Sequence, residues 1–103
     1  IRILIADDYD IIRHGLEQII SHDTAMQVVG HVDNRNDLLK LIRQQEIDLV
    51  ILDLTMDGSI GFDLIKILRQ QAPNLRIIGF SNQTLGERSI LILKNLPTSE
   101  VNP

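Results

Sequence analysis

Short runs of Ile, Leu and Val alternate along this chain with segments whose apolar residues recur at helical spacing, and this alternation constrains the fold more than any other feature. Four such runs predict strands, over residues 1–6, 26–32, 48–52 and 75–80. The segments between them predict three helices: one that ends near Ile20, one capped by Asn36 and one from Gly61 that stops before Pro73. Alternating strands and helices indicate βαβ units, whose right-handed crossovers build a parallel sheet covered on both faces.

The composition narrows the class of protein. With 103 residues the chain is one domain, and with 44% hydrophobic but only 3% aromatic residues its core must be built from Ile, Leu and Val. The net charge is −4 and the basic residues are scattered, which argues against a surface that tracks a nucleic-acid backbone. The chain has no cysteine, and no apolar run approaches the roughly 20 residues of a membrane span. We therefore expect a cytoplasmic protein that does not enter a membrane.

The residues that carry chemistry stand directly after the predicted strands. Asp7 and Asp8 follow the first strand, Asp53 follows the third, Ser81 follows the fourth, and Lys94 follows a later short apolar run. In open parallel sheets, ligands bind at the carboxyl ends of the strands. We expect these five side chains to share that edge of the sheet.

Three carboxylates that converge on one edge need a positive charge among them, because like charges at close range do not all stay ionised. A hard cation with oxygen ligands meets this need, and Mg²⁺ is the natural choice for carboxylates and a phosphate oxygen. Asp53 can then act as a nucleophile toward a phosphoryl group. Lys94 supplies a second positive pole, and the Ser81 hydroxyl hydrogen-bonds a phosphoryl oxygen. These are the parts of an aspartyl-phosphate switch.

This pattern resembles the receiver domains of bacterial two-component response regulators over nearly the whole chain, and it is most similar to the NarL/FixJ type. The matching positions are the acid pair in Ile5-Ala6-Asp7-Asp8, the segment Leu52-Asp53-Leu54-Thr55-Met56 with Gly61, and the single residues Ser81 and Lys94. The acid pair together with the Asp53 segment is a specific signal, whereas Ser81 or Lys94 alone is a weak one.

The resemblance implies a flavodoxin-like, CheY-like α/β fold: a doubly wound five-stranded parallel sheet in the order 2-1-3-4-5. It implies that Asp8 binds Mg²⁺ directly and Asp7 through water, while Thr55 contributes its backbone carbonyl. Asp53 would take a phosphoryl group from a phosphohistidine on a sensor histidine kinase. A homodimer through the receiver domain is a further expectation, and DNA would be bound only by a helix-turn-helix domain that follows in such regulators and is absent from this sequence.

Three positions depart from the family pattern. Asp57 stands where a proline is usual, and it adds a carboxylate near Asp53. Asn82 replaces the small residue that usually follows the switch hydroxyl, and Leu91 replaces the usual aromatic of the fifth strand. The replacement at Leu91 predicts a switch without an aromatic rotamer change, whereas Asp57 bears on metal affinity and Asn82 on access to the phosphoryl group.

The stretch from residue 82 to residue 90 is too short for the expected topology. A parallel crossover needs about a dozen residues or more, so a full fourth helix does not fit before the run 91–93. Either residues are missing from the sequence, most simply between Ile90 and Leu91, or the region between the fourth predicted strand and the run 91–93 is remodelled. The chain also ends where a new helix would begin, so residues 1–103 are interpreted as a receiver domain with a truncated C-terminal helix.

Two other functions use similar parts. A phosphatase that forms an aspartyl-phosphate also places an Asp after a parallel strand, but it needs a second Asp two residues later, where this chain has Thr55. A pseudo-receiver keeps the fold and serves only as an interaction module without phosphorylation. Asp57, Asn82 and Leu91 favour the pseudo-receiver, whereas the complete set of acids, hydroxyl and lysine favours the phosphorylated switch.

Overall fold

A computed structural model describes the backbone of residues 1–56, 62–84 and 88–93, and the side chains of residues 1–56 and 63–80. The elements in chain order are β1 (Arg2–Ala6), α1 (Asp10–Ile20), β2 (Gln27–Val32), α2 (Arg35–Gln44), β3 (Leu49–Asp53), α3 (Phe62–Gln71), β4 (Arg76–Thr84) and β5 (Arg88–Leu93). None of the helices in this part of the chain is long and apolar enough to cross a membrane. Asp57, Gly61 and Lys94 lie outside the described residues.

The strands form one sheet in the order β2-β1-β3-β4-β5. The pairs β1–β2, β1–β3 and β3–β4 are all parallel, so the predicted strand order and the parallel core of the sheet are confirmed. The order places β1 and β3 side by side at the centre of the sheet. Their carboxyl ends therefore meet at one edge.

The direction of the fifth strand corrects the sequence-based expectation of five parallel strands. β5 pairs with β4 in the antiparallel direction, with Ser81 opposite Leu91 and Thr84 opposite Arg88. The physical reason is the length of the connection, because β4 ends at Thr84 and β5 begins at Arg88. An antiparallel pair can be joined by a few residues, whereas a parallel one needs a crossover. Among the described residues, β4 and β5 are thus neighbouring antiparallel strands.

β4 is also longer than expected. The apolar run predicts a strand that stops at Phe80 with Ser81 at its end, but β4 continues to Thr84 because residues 79–84 pair with β5. Ser81 therefore lies within a strand, one residue beyond Phe80, which is the register partner of Asp53. The position of the Ser81 backbone beside the end of β3 is kept.

The two faces of the sheet bury different amounts of apolar surface. The larger cluster lies on the face covered by α2 and α3, and its central members are Leu4, Val50, Leu52, Leu38 and Leu68. The smaller cluster lies under α1 and consists of Ile3, Ile5 and Ile20, with Leu16 and Val28 packed against it. Alternate residues of β1 and β3 thus enter opposite clusters. Burial on both faces fixes the position of these strands and of the residues that follow them.

The start of α2 differs from the predicted cap. Asn34, not Asn36, is the N-cap: its side chain accepts a hydrogen bond from the Asp37 N–H at 2.9 Å. Asn36 lies inside the first turn. Both asparagines precede the same apolar run, and the extended backbone at Asn34 decides between them because an N-cap residue has non-helical dihedral angles.

This assignment is tested by two matched substitutions. We expect Asn34→Ala to lower the free energy of unfolding by about 1 kcal/mol, because one helix N–H loses its acceptor. Asn36→Ala is the control and should leave stability equal or slightly higher, since Ala has the better helix propensity. Urea unfolding of both variants measures the difference, and a larger loss for Asn36→Ala would contradict the assigned cap.

Candidate functional site

Three aspartates meet at the carboxyl edge of the sheet. Asp7 and Asp8 directly follow β1, and Asp53 is the last residue of β3, whose Leu52 pairs with Ala6. One carboxylate oxygen from each acid lies within 4.8 Å of the other two, and no other group of three potential metal ligands this close occurs among the described residues. The structure thus brings together the three acids that their positions after neighbouring strands predict.

Asp7 is almost fully enclosed. Its residue is 1% exposed, one carboxylate oxygen accepts the Tyr9 N–H at 2.8 Å, and the other oxygen is buried without a hydrogen-bond partner. Burial raises the pKa of Asp7 to about 6, and the charges of Asp53 and Asp8 add to this effect. The Tyr9 N–H and the Arg13 charge act in the opposite direction but do not cancel the shift.

Asp53 is equally enclosed and is held by one neighbour. Its residue is 2% exposed, and its Oδ1 accepts hydrogen bonds from both the backbone N–H of Thr55, at 2.9 Å, and the Thr55 hydroxyl, at 2.7 Å. The other oxygen, Oδ2, is buried without a hydrogen-bond partner. Thr55 therefore fixes the carboxylate in one orientation while Oδ2 keeps its lone pairs for another ligand.

Backbone hydrogen bonds tie both acid-bearing turns to neighbouring strands. The Asp7 N–H donates to the Val32 carbonyl at 3.0 Å, and the Leu54 N–H donates to the Phe80 carbonyl at 2.7 Å. Close packing supports the second turn, because a Cβ at Gly79 would lie only 3.2 Å from a methyl carbon of Leu54. The acids are thus positioned by the sheet and not by loops alone.

The donor set fits a hard divalent cation such as Mg²⁺. Two buried oxygens, Asp7 Oδ2 and Asp53 Oδ2, have no hydrogen-bond partner, and an orphaned buried acceptor costs free energy until a positive group binds it. Asp8 is the exposed member of the cluster, so the site is open on its side. Carboxylate oxygens with room for water are the ligands that Mg²⁺ prefers in proteins. The backbone carbonyl of Thr55 as a further ligand stays a prediction.

The other two predicted site residues differ in what the structure describes. Ser81 has its backbone in β4, which is the neighbour of β3, but its side chain is outside the described residues. Lys94 is outside them altogether. Their approach to Asp53 therefore stays a prediction.

Arg13 is the neighbour of the acids that the sequence pattern does not single out. Its side chain is 13% exposed, and one guanidinium nitrogen donates to the backbone carbonyl of Asp7 at 2.5 Å while the other pairs with the Asp10 carboxylate. The only sequence signal is the spacing of Asp10 and Arg13, which are three residues apart on a helix. That spacing predicts an ion pair on the helix surface but not the contact with Asp7.

A parallel α/β sheet with buried aspartates after its two central strands is the architecture of receiver domains. The family model of the response regulator receiver domain matches residues 3–92, and this chain belongs to that family.

Sequence relatives are response regulators. The response regulator GacA of Pseudomonas aeruginosa is 32% identical over 78 residues, which cover 76% of this chain and 36% of that protein. The nitrate/nitrite response regulator NarL of Escherichia coli K12 is 34% identical over 92 residues, 89% of this chain and 43% of that protein. The chain thus spans less than half the length of these relatives.

Solved structures agree with the family. The isolated receiver domain of RcsB from Salmonella enterica serovar Typhimurium, solved with the phosphomimetic BeF₃⁻, superposes with a TM-score of 0.75 at 27% identity, covering 81% of this chain and 62% of that one. An RcsB–DNA complex gives a TM-score of 0.74 at 25% identity, with 82% and 45% covered.

The raised pKa of Asp7 predicts a pH dependence of stability. Its folded-state pKa of about 6 lies above the ordinary 3.8, so the native state holds the proton more tightly and loses stability as the pH rises from about 4 to about 6. Asp7→Asn lacks this cost. We expect the metal-free variant to be more stable than wild type near pH 7.5, by up to about 3 kcal/mol, and this advantage to shrink toward pH 4.

Asp63→Asn is the control with the opposite sign. The Arg35 guanidinium, which contacts both Asp63 oxygens at 3.0 Å, holds the pKa of that carboxyl below its usual range. The exposed Asp63 therefore stabilises the fold above its ordinary pKa, and removing its charge should lower stability near pH 7.5. Urea unfolding as a function of pH measures both variants, and an Asp7→Asn protein less stable than wild type near pH 7.5 without metal would overturn the prediction.

The Thr55 hydroxyl predicts a second change in stability. Thr55→Val keeps the shape and the backbone N–H but removes the hydroxyl donor to Asp53, so we expect a loss of about 1 kcal/mol in the free energy of unfolding. Thr55→Ser keeps the hydroxyl and should lose less. A double-mutant cycle with Asp53→Ala, which removes the acceptor oxygen, isolates the contact, and absence of coupling between the two positions would contradict it.

Proposed function

We propose that this receiver domain is a cytoplasmic phosphoacceptor switch in which Asp53 takes a phosphoryl group from a phosphohistidine on a sensor histidine kinase. One observation supports the proposal most strongly. Asp53 is buried close to Asp7 and Asp8, one of its oxygens accepts two hydrogen bonds from Thr55, and its other oxygen has no hydrogen-bond partner. A nucleophile that is fixed in place and has a free lone pair is prepared for attack.

In the transfer step, Asp53 Oδ2 forms a bond to phosphorus as the bond between phosphorus and the imidazole nitrogen breaks. The electron pair of that bond stays on the imidazole, whose other ring nitrogen carries a proton, so that the histidine leaves as a neutral ring. Thr55 holds Oδ1 throughout, so the carboxylate does not need to turn. A bound Mg²⁺ would supply charge stabilisation, with Asp8, Asp53, Asp7 and the Thr55 carbonyl as its proposed ligands.

The phosphorylated state would act through β4 and β5. A phosphoryl group on Asp53 brings up to two negative charges and three acceptor oxygens, which attract the Ser81 hydroxyl and the Lys94 ammonium. This attraction biases a two-state equilibrium of the β4–β5 edge. The solved RcsB structures, which include dimers bound to DNA, support an output through homodimers and DNA binding, for which the family resemblance implies a helix-turn-helix domain.

The residue at position 55 argues against turnover as a phosphatase. An aspartyl-phosphate phosphatase needs a general acid two residues after its nucleophile, and Thr55 occupies that position in this chain. Its hydroxyl donates to Asp53 at 2.7 Å, which orients the nucleophile but supplies no carboxylic proton. A switch that keeps its phosphoryl group is the function that this arrangement favours.

Phosphorylation by acetyl phosphate in the presence of Mg²⁺, read by intact mass, tests the proposal. We expect wild type and the exposed-acid control Asp63→Asn to gain one phosphoryl group, and Asp53→Asn to gain none. Ser81→Ala and Lys94→Ala should gain it more slowly. If the folded wild type gains no mass at any Mg²⁺ concentration, the domain is a pseudo-receiver; a gain in Asp53→Asn would place the phosphoacceptor elsewhere.

A further inference from the structure

We propose that Arg13 is a positioning residue that holds the turn from Asp7 to Tyr9 in the shape required for cation binding. The inference rests on the proposed function, because it concerns how the same acidic site is prepared. Arg13 itself touches neither the carboxylate of Asp53 nor that of Asp7 among the contacts of the described residues. Its role is therefore on the backbone of the turn.

The guanidinium of Arg13 contacts two separate acceptors. One nitrogen donates to the Asp7 carbonyl at 2.5 Å, and another pairs with the carboxylate of Asp10 at the start of α1. The planar fork of an arginine can bridge two acceptors in this way, whereas a lysine ammonium has no such fixed fork. Arg13 thus ties the end of β1 to the first turn of α1.

The N-terminus of α1 has no side-chain capping hydrogen bond. Tyr9 is the N-cap of this helix, and its side chain makes no capping hydrogen bond. A helix start usually relies on such a bond to fix the entering chain. In this chain the Tyr9 N–H instead donates to an Asp7 carboxylate oxygen, and the Arg13 N–H donates to the Tyr9 carbonyl at 3.2 Å. The Arg13 side chain completes the fixation from the other side of the turn.

The positive charge of Arg13 and its positioning role have opposite effects on cation binding. A positive charge near a cation site repels the cation, so Arg13 acting only by its charge would weaken cation binding. Because the guanidinium is bound to a carbonyl and to Asp10, it leaves the second Asp7 oxygen without a partner. The positioning role and the pure charge effect therefore predict opposite changes when the charge is removed.

Two variants of the full chain and one control test this. Arg13→Gln removes charge and fork, Arg13→Lys keeps the charge, and Arg43→Gln removes a charge from the last turn of α2, at the opposite end of the sheet. Mg²⁺ affinity is measured by calorimetry near pH 8, where free carboxylates are ionised. We expect both Arg13 variants to bind about five- to tenfold more weakly, the fold-change for one lost hydrogen bond of ordinary strength, and Arg43→Gln to bind as wild type.

Amide hydrogen exchange in the metal-free proteins supplies a second, independent result. The Tyr9 N–H should exchange faster in both Arg13 variants. The Ala25 N–H, which donates to the carboxylate of Asp23 at 2.9 Å in a similar turn without an arginine, is the internal control and should not change. Unchanged Tyr9 exchange, or tighter Mg²⁺ binding by Arg13→Gln, would overturn the positioning role.

Different results would contradict the proposed phosphoacceptor function and the proposed role of Arg13. If wild type binds Mg²⁺ but Asp53 is never phosphorylated, the proposed function fails and Arg13 is still tested by affinity and exchange. If wild type binds no Mg²⁺, the role of Arg13 in cation binding fails with the metal site, whatever the Tyr9 exchange shows.

Discussion

Two carboxylates buried at the edge of an apolar sheet are the interaction on which this structure depends. Asp7 and Asp53 are almost completely withdrawn from water, and each has one oxygen without a hydrogen-bond partner. Desolvation and mutual repulsion make such an arrangement unfavourable, as the raised pKa of Asp7 records. It persists because burial of β1 and β3 on both faces stabilises the strands that carry the acids.

An unfavourable site of this kind is suited to a positively charged ligand. A carboxylate already paired with a lysine or arginine would gain little from a cation, whereas an unpartnered one gains the full interaction. The local hydrogen bonds leave one oxygen of each aspartate unpaired. Tyr9 donates to one oxygen of Asp7, and Thr55 donates to one oxygen of Asp53. Arg13 follows the same rule, because it binds the carbonyl of Asp7 and not its carboxylate.

Features set by local pattern could be predicted from the sequence, and features set by tertiary contacts could not. The three acids were predictable because they follow short apolar runs whose alternation with helical segments predicts strands of a parallel sheet. The choice of Asn34 over Asn36 as the cap depends on the backbone conformation at Asn34. The short stretch before residue 91 argued against a full fourth helix, but the antiparallel direction of β5 is set by its pairing with β4. The contact between Arg13 and Asp7 could not be predicted, since a hydrogen bond to a carbonyl leaves no mark on the residue type of the acceptor.

The sheet also determines which strands neighbour Asp53 and would move when its charge changes. Asp53 ends β3, its register partner is Phe80, and the next N–H along the chain, that of Leu54, donates to the Phe80 carbonyl at 2.7 Å. A displacement of the Asp53 turn can therefore pass to β4 through the strand pairing and the hydrogen bond from Leu54 to Phe80. Since Ser81 follows Phe80 and pairs with Leu91, the same displacement passes into β5 by the antiparallel register. β4 thus adjoins the end of β3 that carries Asp53, and β5 pairs with β4 without an intervening helix in the described part of the chain. Under the proposed switch, we therefore expect a phosphoryl group on Asp53 to act first on these two strands.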